Sequence, residues 1–320
     1  MKRFSQGCVL CGHRCRVDRQ AGKPGFCGIT DELRYSQAVI HTGEEPPLSG
    51  QLPHGSGAIF FSQCNLSCVF CQNYSISQDP RAGEVIDAEK LVDLMFLLKS
   101  RGALNINLVS PTPYAVVIAK ALFLAKQRNL GLPIIYNTGG YDSLECLSLL
   151  DGLVDIYLPD AKLAAAKDAE EGDPDSRSMR LLGVGDYPWV NRKAILEMYR
   201  QVGNFQKDDK DIAYKGLLIR HLVLPDNLAR TKELLPWIRE NFGTEVAFTL
   251  MSQYYPTNKV KIGYNPLFRD MPGLGRPLSL VEYSDYVEQA ISLQLENTFI
   301  QEPEAAFNYL PDFSKPDAFN

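Results

Sequence analysis

Short apolar runs alternate with helical patterns along most of this 320-residue chain, and this alternation constrains the fold more than any other feature. From residue 57 onward, the runs are often β-branched, and the segments between them repeat apolar residues at helical spacing. Such alternation is typical of βα units around a parallel sheet that is buried on both faces. The six predicted strands are 58–62, 104–109, 133–137, 153–158, 217–224 and 245–250.

Several helix ends are marked in the sequence. Asp87 is suited to cap a helix that Gly102 ends, and Ser279 with Glu282 forms a capping box before the last helix. Pro236 lies inside another helical pattern, so we expect a kink or a break between two helices there. Six βα units predict an α/β fold, a partial TIM-like (β/α)6 barrel.

The balance of charge and apolar residues excludes several functions. The chain has 33 basic and 38 acidic residues, a net charge of −5, so binding to nucleic acid through bulk charge is not expected. Its apolar runs are too short to span a membrane, and residues 1–4 lack the apolar stretch of a signal peptide. A cytoplasmic location is therefore expected.

Cysteines are clustered rather than spread along the chain. Cytoplasmic thiols stay reduced, so tight clusters indicate metal binding rather than disulfides. Cys146 stands alone in a helical apolar run and is interpreted as a small buried hydrophobic residue. The other seven form two groups: Cys8, Cys11, Cys15 and Cys27, and then Cys64, Cys68 and Cys71.

The second group follows the first predicted strand directly, so its three thiols lie on one short loop. Three thiolates can each bind one iron of a [4Fe–4S] cluster and leave the fourth iron open, as catalysis requires. The alternative is a zinc site whose fourth ligand is His41 or His54.

This Cys-x3-Cys-x2-Cys motif, with Phe70 before its last cysteine, resembles the signature of the radical S-adenosylmethionine (SAM) superfamily. The segment 63–74 is most similar to uncharacterised proteins named for their likeness to pyruvate formate-lyase activating enzymes. The N-terminal cysteine spacing and residues 41–50 are also similar, so the resemblance covers most of residues 8–300. It implies a radical SAM barrel that carries the cluster at one end.

The resemblance implies that SAM chelates the open iron and is cleaved reductively to a 5′-deoxyadenosyl radical, which abstracts hydrogen from a substrate. An electron donor such as flavodoxin or ferredoxin is then needed. The substrate is a glycyl radical enzyme partner, a small molecule or a peptide. Activating enzymes often carry further cluster-binding cysteines after the motif, and their absence here counts against a glycyl radical enzyme as the substrate. The alternative from another class is a non-enzymatic iron–sulfur or zinc protein.

Polar residues just past the predicted strands mark a site, because the carboxyl ends of barrel strands carry catalysis. In activating enzymes an Asp-x-Lys after the fourth strand is associated with SAM, and Asp160 and Lys162 match it. Many relatives have Gly-Gly-Glu after the second strand, where this chain has Ser-Pro-Thr-Pro. The expected SAM-binding residues are Ser110, Thr112, Asn137, Asp160, Lys162 and His221.

The first fifty residues are predicted to form a separate N-terminal lobe, followed by the barrel (51–301) and a C-terminal tail (302–320) that lies over the surface or is disordered. The four cysteines of the lobe form a complete tetrathiolate set, which suits either zinc or a second iron–sulfur cluster. Glu44 and Glu45 are interpreted as a solvated acidic linker; the alternative is that they reach the barrel mouth.

Overall fold

A computed structural model describes residues 7–302, 311–315 and 317–319. All six predicted strands are present, with ends within a few residues of those expected. They are β2 (Gly55–Phe61), β4 (Ala103–Val109), β5 (Ile134–Thr138), β6 (Ile156–Pro159), β8 (Ala213–Leu222) and β9 (Ala247–Met251). The prediction of a parallel α/β barrel is confirmed, and the sheet is open rather than closed.

The described residues contain four further strands: β1 (Leu33–His41), β3 (Glu84–Ile86), β7 (Gln206–Lys207) and β10 (Thr298–Ile300). The sheet runs in the order β10-β9-β8-β6-β5-β4-β2-β1-β3, and β7 pairs with β8. The strands from β10 to β2 are parallel, whereas β1 pairs antiparallel with β2 and β3. The N-terminal segment thus continues the sheet beyond its βα units.

Most of the helices pack against one face of this sheet. Asp87 caps α3 by accepting from the backbone N–H of Lys90, and the capping box of α9 is formed as predicted. The described helices are α1 (Pro46–Ser49), α2 (Tyr74–Ser77), α3 (Ala88–Ser100), α4 (Ala115–Gln127), α5 (Leu144–Leu150), α6 (Ser176–Leu182), α7 (Tyr187–Val202), α8 (Thr231–Phe242) and α9 (Leu280–Ser292). None in the described ranges is long and apolar enough to cross a membrane.

Alternation along the strands sorts side chains into two cores, because successive residues point to opposite faces. Residues such as Ile106 and Ile219 pack against the helices in the larger core. Ile156 and Leu218 pack with Leu48 of α1 in a smaller core inside the barrel. Polar residues replace apolar ones above this inner core, and the barrel interior therefore opens into a polar space at its mouth, the edge where the parallel strands end.

Pro236 does not divide its helix: α8 runs through it as one helix, so the predicted alternative of a break between two helices is wrong. Proline lacks the N–H that would bond the carbonyl four residues earlier, which here belongs to Lys232. Gln289 of α9 supplies a replacement, because its Nε2 donates to that carbonyl at 3.0 Å. A tertiary contact thus compensates for the missing backbone bond.

The described part of the C-terminal tail packs against the rest of the chain. Ala318 is buried, and the ring centroids of Phe319 and His41 lie 4.1 Å apart. Phe313 and Phe319 both contact Phe60 of β2. Residues 303–310, 316 and 320, which the sequence also assigns to the tail, lie outside the described residues.

Candidate functional site

The three-cysteine motif lies on the loop between β2 and α2, at the mouth of the barrel. The backbone N–H groups of Ser67 and Val69 donate to the carbonyls of Leu182 and Leu181 at the end of α6, both at 2.9 Å. Phe70, the aromatic residue before the last cysteine, packs edge-on against Tyr254. The loop is therefore held on both sides.

The surroundings of the three thiols suit a shared, charged cofactor. Burial raises the pKa of each thiol, to about 11 for Cys64, while the nearby Lys162 ammonium acts in the opposite direction on all three. The Leu66 N–H lies 3.4 Å from the Cys64 sulfur, and the Asn73 N–H bonds the Cys71 sulfur. Metal binding here releases protons from thiols whose negative charge these donors and Lys162 then stabilise.

This donor set fits an iron–sulfur cluster with one open position better than a zinc ion. His54 bonds the carbonyl of Gly102, and His41 stacks on Phe319. Neither histidine therefore completes a zinc site with the three cysteines.

Cys68 and Cys71 line a cavity of about 590 Å³ that extends from the motif into the barrel interior. Its volume lies within the usual range for small-molecule sites. Polar side chains of β5, β8 and β9 face it, with Asp160 just after β6 and with residues of the N-terminal segment and the tail. Among the predicted SAM-binding residues, those that line it are Asn137, Asp160 and Lys162.

Asp160 is the centre of a buried charge network in this cavity. Lys162 donates to one carboxylate oxygen at 2.5 Å, and the Arg220 Nε donates to the other at 3.3 Å. Burial acts to raise the pKa of Asp160, but the two cations outweigh it and hold this pKa below its ordinary value. In return, Asp160 raises the pKa of Lys162 and of Arg220 against the effect of burial. All three groups are charged at neutral pH.

Arg220 extends the network to the other side of the barrel. Its two terminal nitrogens donate to Asn137 Oδ1 at 2.7 Å and to Glu44 Oε2 at 3.2 Å. Glu44 also accepts from Asn107 at 2.9 Å, and Glu45 accepts from Thr249 at 2.7 Å. The interpretation of Glu44 and Glu45 as a solvated linker is therefore wrong: both carboxylates are buried inside the barrel, and their burial raises the pKa of each.

One carboxylate oxygen in the cavity lacks a partner. Glu45 Oε2 is buried and has no hydrogen bond within the part of the chain that the structure describes. A buried acceptor without a donor is costly, so native sites seldom keep one unless a ligand satisfies it. Glu45 therefore offers an acceptor to a molecule in the cavity.

His221, predicted to lie near SAM, faces the helices instead of the cavity. Successive residues of β8 point to opposite faces, so Arg220 takes the inward position and His221 the outward one. The ring of His221 donates from Nδ1 to the carbonyl of Ala161 and accepts at Nε2 from Thr231, at 2.5 and 2.8 Å. Burial lowers its pKa to about 4. It positions the Asp160–Lys162 segment from behind.

Ser110 and Thr112 are likewise set back from the cavity lining. Ser110 has a left-handed backbone, with φ of 60°, which costs energy in a residue other than glycine. Thr112 is buried and donates to Asp142 at 2.8 Å. Asp142 also accepts from Thr138 and from Tyr136, so it ties the ends of β4 and β5 together.

Sequence reasoning missed Arg220 as a site residue, as well as two residues of α7 that hold Asp160 in place. Tyr187 and Asn191 both donate to the main-chain carbonyl of Asp160, each at 2.9 Å. The signal for Arg220 was available, because a charged residue inside an apolar strand requires a buried partner. Local sequence carries no comparable signal for the α7 residues.

The buried neutral His221 predicts a specific dependence of stability on pH. Between its ordinary pKa of 6.5 and the folded value of about 4, the unfolded chain binds more protons, so acid lowers the free energy of unfolding. His221→Gln cannot titrate. We expect it to be less stable than the wild type at neutral pH, by a gap that narrows as the pH falls to about 5. Urea unfolding at several pH values measures the gap, with the exposed His54→Gln as control; a constant gap contradicts this account.

Comparisons with known proteins agree with the motif and the fold. Residues 58–204 match the model of the Radical SAM superfamily. The chain is 31% identical over 304 residues to the uncharacterized protein MJ0674 of Methanocaldococcus jannaschii, covering 92% of this chain and 77% of that one. One similar solved structure is Streptococcus suis SuiB bound to S-adenosylmethionine, with a TM-score of 0.49 and 17% identity, covering 77% of this chain and 50% of that one. Another is the FeFe-hydrogenase maturase HydG from Carboxydothermus hydrogenoformans, with a TM-score of 0.46 and 14% identity, covering 76% of this chain and 53% of that one.

The chain spans about half the length of these two solved proteins. The sequence relationship and the family model do not depend on them. Together with the motif at the barrel mouth, they establish that this chain belongs to the radical SAM superfamily, whose members are enzymes that use a [4Fe–4S] cluster and SAM.

Proposed function

We propose that this protein cleaves SAM reductively and uses the resulting radical to abstract hydrogen from a substrate held inside the barrel. The observation that carries the proposal is the cavity, which brings Cys68 and Cys71 of the motif and the Asp160 network to one polar space. The bound cluster and SAM supply the radical chemistry, and the chain supplies binding, orientation and exclusion of water.

Each polar group of the network has a role that its charge permits. Lys162 carries a positive charge beside the thiols and suits the carboxylate of SAM. Asn137 and Asp160 offer groups for the hydroxyls or the ammonium of SAM. Arg220 already donates to Asp160, Asn137 and Glu44, and its proposed role is to orient these three side chains.

The substrate is proposed to be a small molecule or a peptide side chain that donates a hydrogen bond. Glu45 supplies an unsatisfied acceptor, and the tail residue Phe319 helps to enclose the same cavity. A glycyl radical enzyme partner would have to insert a loop past this tail. We further propose a cytoplasmic location and an electron donor of the flavodoxin or ferredoxin type, since the chemistry requires a low potential and reduced thiols.

Loss of one motif cysteine is expected to abolish the reaction. Cys68→Ala removes a cluster ligand, so it should form no 5′-deoxyadenosine from SAM and dithionite and should bind about four fewer irons, the content of one cluster. Cys146→Ala is the matched control, because Cys146 is fully buried and packs in the hydrophobic core. SAM cleavage by the Cys68→Ala protein at the wild-type rate would refute the assignment.

Lys162→Met is expected to weaken SAM binding about 10- to 100-fold, the effect of losing one hydrogen bond to a charged group. Equilibrium dialysis of the reconstituted protein against labelled SAM measures this loss, while the iron content should remain that of the wild type. Lys167→Met changes an exposed lysine nearby and serves as control. Equal affinity in the Lys162→Met and wild-type proteins would exclude this lysine from SAM binding.

The four cysteines of the N-terminal lobe are proposed to bind a metal cofactor of their own, because Gly25 lies against the sulfurs of both Cys15 and Cys27 and the chain around the cysteines forms tight turns. The sequence left zinc and a second iron–sulfur cluster as alternatives.

A further inference from the structure

We propose that the N-terminal lobe holds a second iron–sulfur cluster on Cys8, Cys11, Cys15 and Cys27, and that this cluster delivers electrons to the cluster of the three-cysteine motif. The inference rests on the proposed function, because it concerns how the motif cluster is reduced.

The lobe cysteines share a local geometry with the motif. In the motif, the N–H two residues after the cysteine points at the sulfur of Cys64 and of Cys71. The same N–H-to-sulfur contact recurs in the lobe, at Cys8, Cys11 and Cys15, with Leu10, His13 and Val17 as the respective donors. Such turns present a thiolate to a metal while donating to its sulfur, and these hydrogen bonds tune the potential of an iron–sulfur cluster.

The lobe sulfurs surround a space that is kept open. The Cys8 N–H donates to the carbonyl of Val17 and the Arg16 N–H donates to the carbonyl of Cys8, both at 2.9 Å, so the chain at Cys8 is paired with the chain just after Cys15. A Cβ atom placed on Gly25 would lie 3.3 Å from the Cys15 sulfur and 3.5 Å from the Cys27 sulfur, so glycine leaves room between them. Arg19 donates to the Cys27 sulfur at 3.2 Å and brings a positive charge to a group of thiols. Free thiols in a core need neither the gap nor the cation.

The two cysteine groups are neighbours in space. His13, between two lobe cysteines, hydrogen-bonds through Nε2 to the carbonyl of Asn65 at 2.9 Å. Asn65 is the residue after Cys64, and its side chain donates to the carbonyl of Tyr141 at 3.1 Å. A short bonded route therefore joins the lobe to the motif.

This placement favours iron over zinc. Three residues separate Cys11 from Cys15 and eleven separate Cys15 from Cys27, unlike the two Cys-x2-Cys pairs of a zinc ribbon. Zinc also has no redox chemistry to use beside an electron acceptor.

Electrons can enter at the outer edge of the lobe. Cys15 and Cys27 are the partly exposed members of the set, and Phe26, next to Cys27 in the sequence, is 58% exposed. Arg16 and Lys23 are exposed nearby, in a chain whose net charge is −5. This local positive charge suits an acidic one-electron carrier protein. One electron leaves the carrier, passes through the lobe cluster to the motif cluster, and is consumed in cleaving one SAM.

Metal analysis of the anaerobically reconstituted full chain tests the site. We expect about eight irons per chain, no stoichiometric zinc, and two electron paramagnetic resonance signals after dithionite reduction. Cys15→Ser/Cys27→Ser should retain about four irons and only the motif signal. Four irons with one zinc in the wild type would overturn the proposal without requiring any variant to fold.

Reduction by a carrier tests the electron route. Reduced flavodoxin is mixed with each protein, and the motif signal is followed in freeze-quenched samples. We expect Cys15→Ser/Cys27→Ser to reduce its motif cluster at least about tenfold more slowly than the wild type, whereas dithionite reduces both alike. Cys146→Ser is the control for the loss of a cysteine. A second variant, Arg16→Glu/Lys23→Glu, should slow the reduction by flavodoxin but not the reduction by dithionite. Lys90→Glu is its surface control.

Equal flavodoxin rates in the double-serine and wild-type proteins would exclude the relay. Because the readout is cluster reduction, a protein that holds two clusters but never cleaves SAM would refute the proposed function and leave this inference supported.

Discussion

The site depends on a single buried carboxylate, that of Asp160. An ionised group inside a barrel is costly unless it is paired, and Asp160 is paired twice, with Lys162 and with Arg220. Its main-chain carbonyl is fixed as well, by Tyr187 and Asn191 of α7. Removing one partner would leave a buried charge uncompensated, so these residues hold one another in place.

Arg220 also explains why the N-terminal segment enters the barrel. It needs a further counter-charge on its far side, and Glu44 provides it from the turn between β1 and α1. Glu45 follows into the interior, and the tail packs Phe319 on His41 at the same wall. The cavity is thus completed by parts of the chain that lie outside the βα units.

Features determined locally could be predicted from the sequence. The six buried strands have continuous apolar runs, and the caps of α3 and α9 are set by adjacent residues such as Asp87 and Ser279. The motif identified the family because its three cysteines lie within one loop.

Features that depend on residues distant in the sequence could not be predicted. Pro236 remains within one helix because Gln289, from another helix, bonds the carbonyl that proline leaves free. The burial of Glu44 depends on Arg220, which is 176 residues away in the sequence. The inward-facing residue of β8 could be predicted only in part. Strand alternation places either Arg220 or His221 in the cavity, but the local sequence does not say which of the two.

Chelation of SAM at the motif cluster is the central claim, and electron paramagnetic resonance tests it most directly. The reconstituted, dithionite-reduced protein would be measured before and after addition of SAM carrying ¹⁵N in its amino group. We predict that the motif signal changes on SAM addition and acquires a hyperfine coupling to this nitrogen. A signal that saturating SAM leaves unchanged, with no nitrogen coupling, would contradict the account.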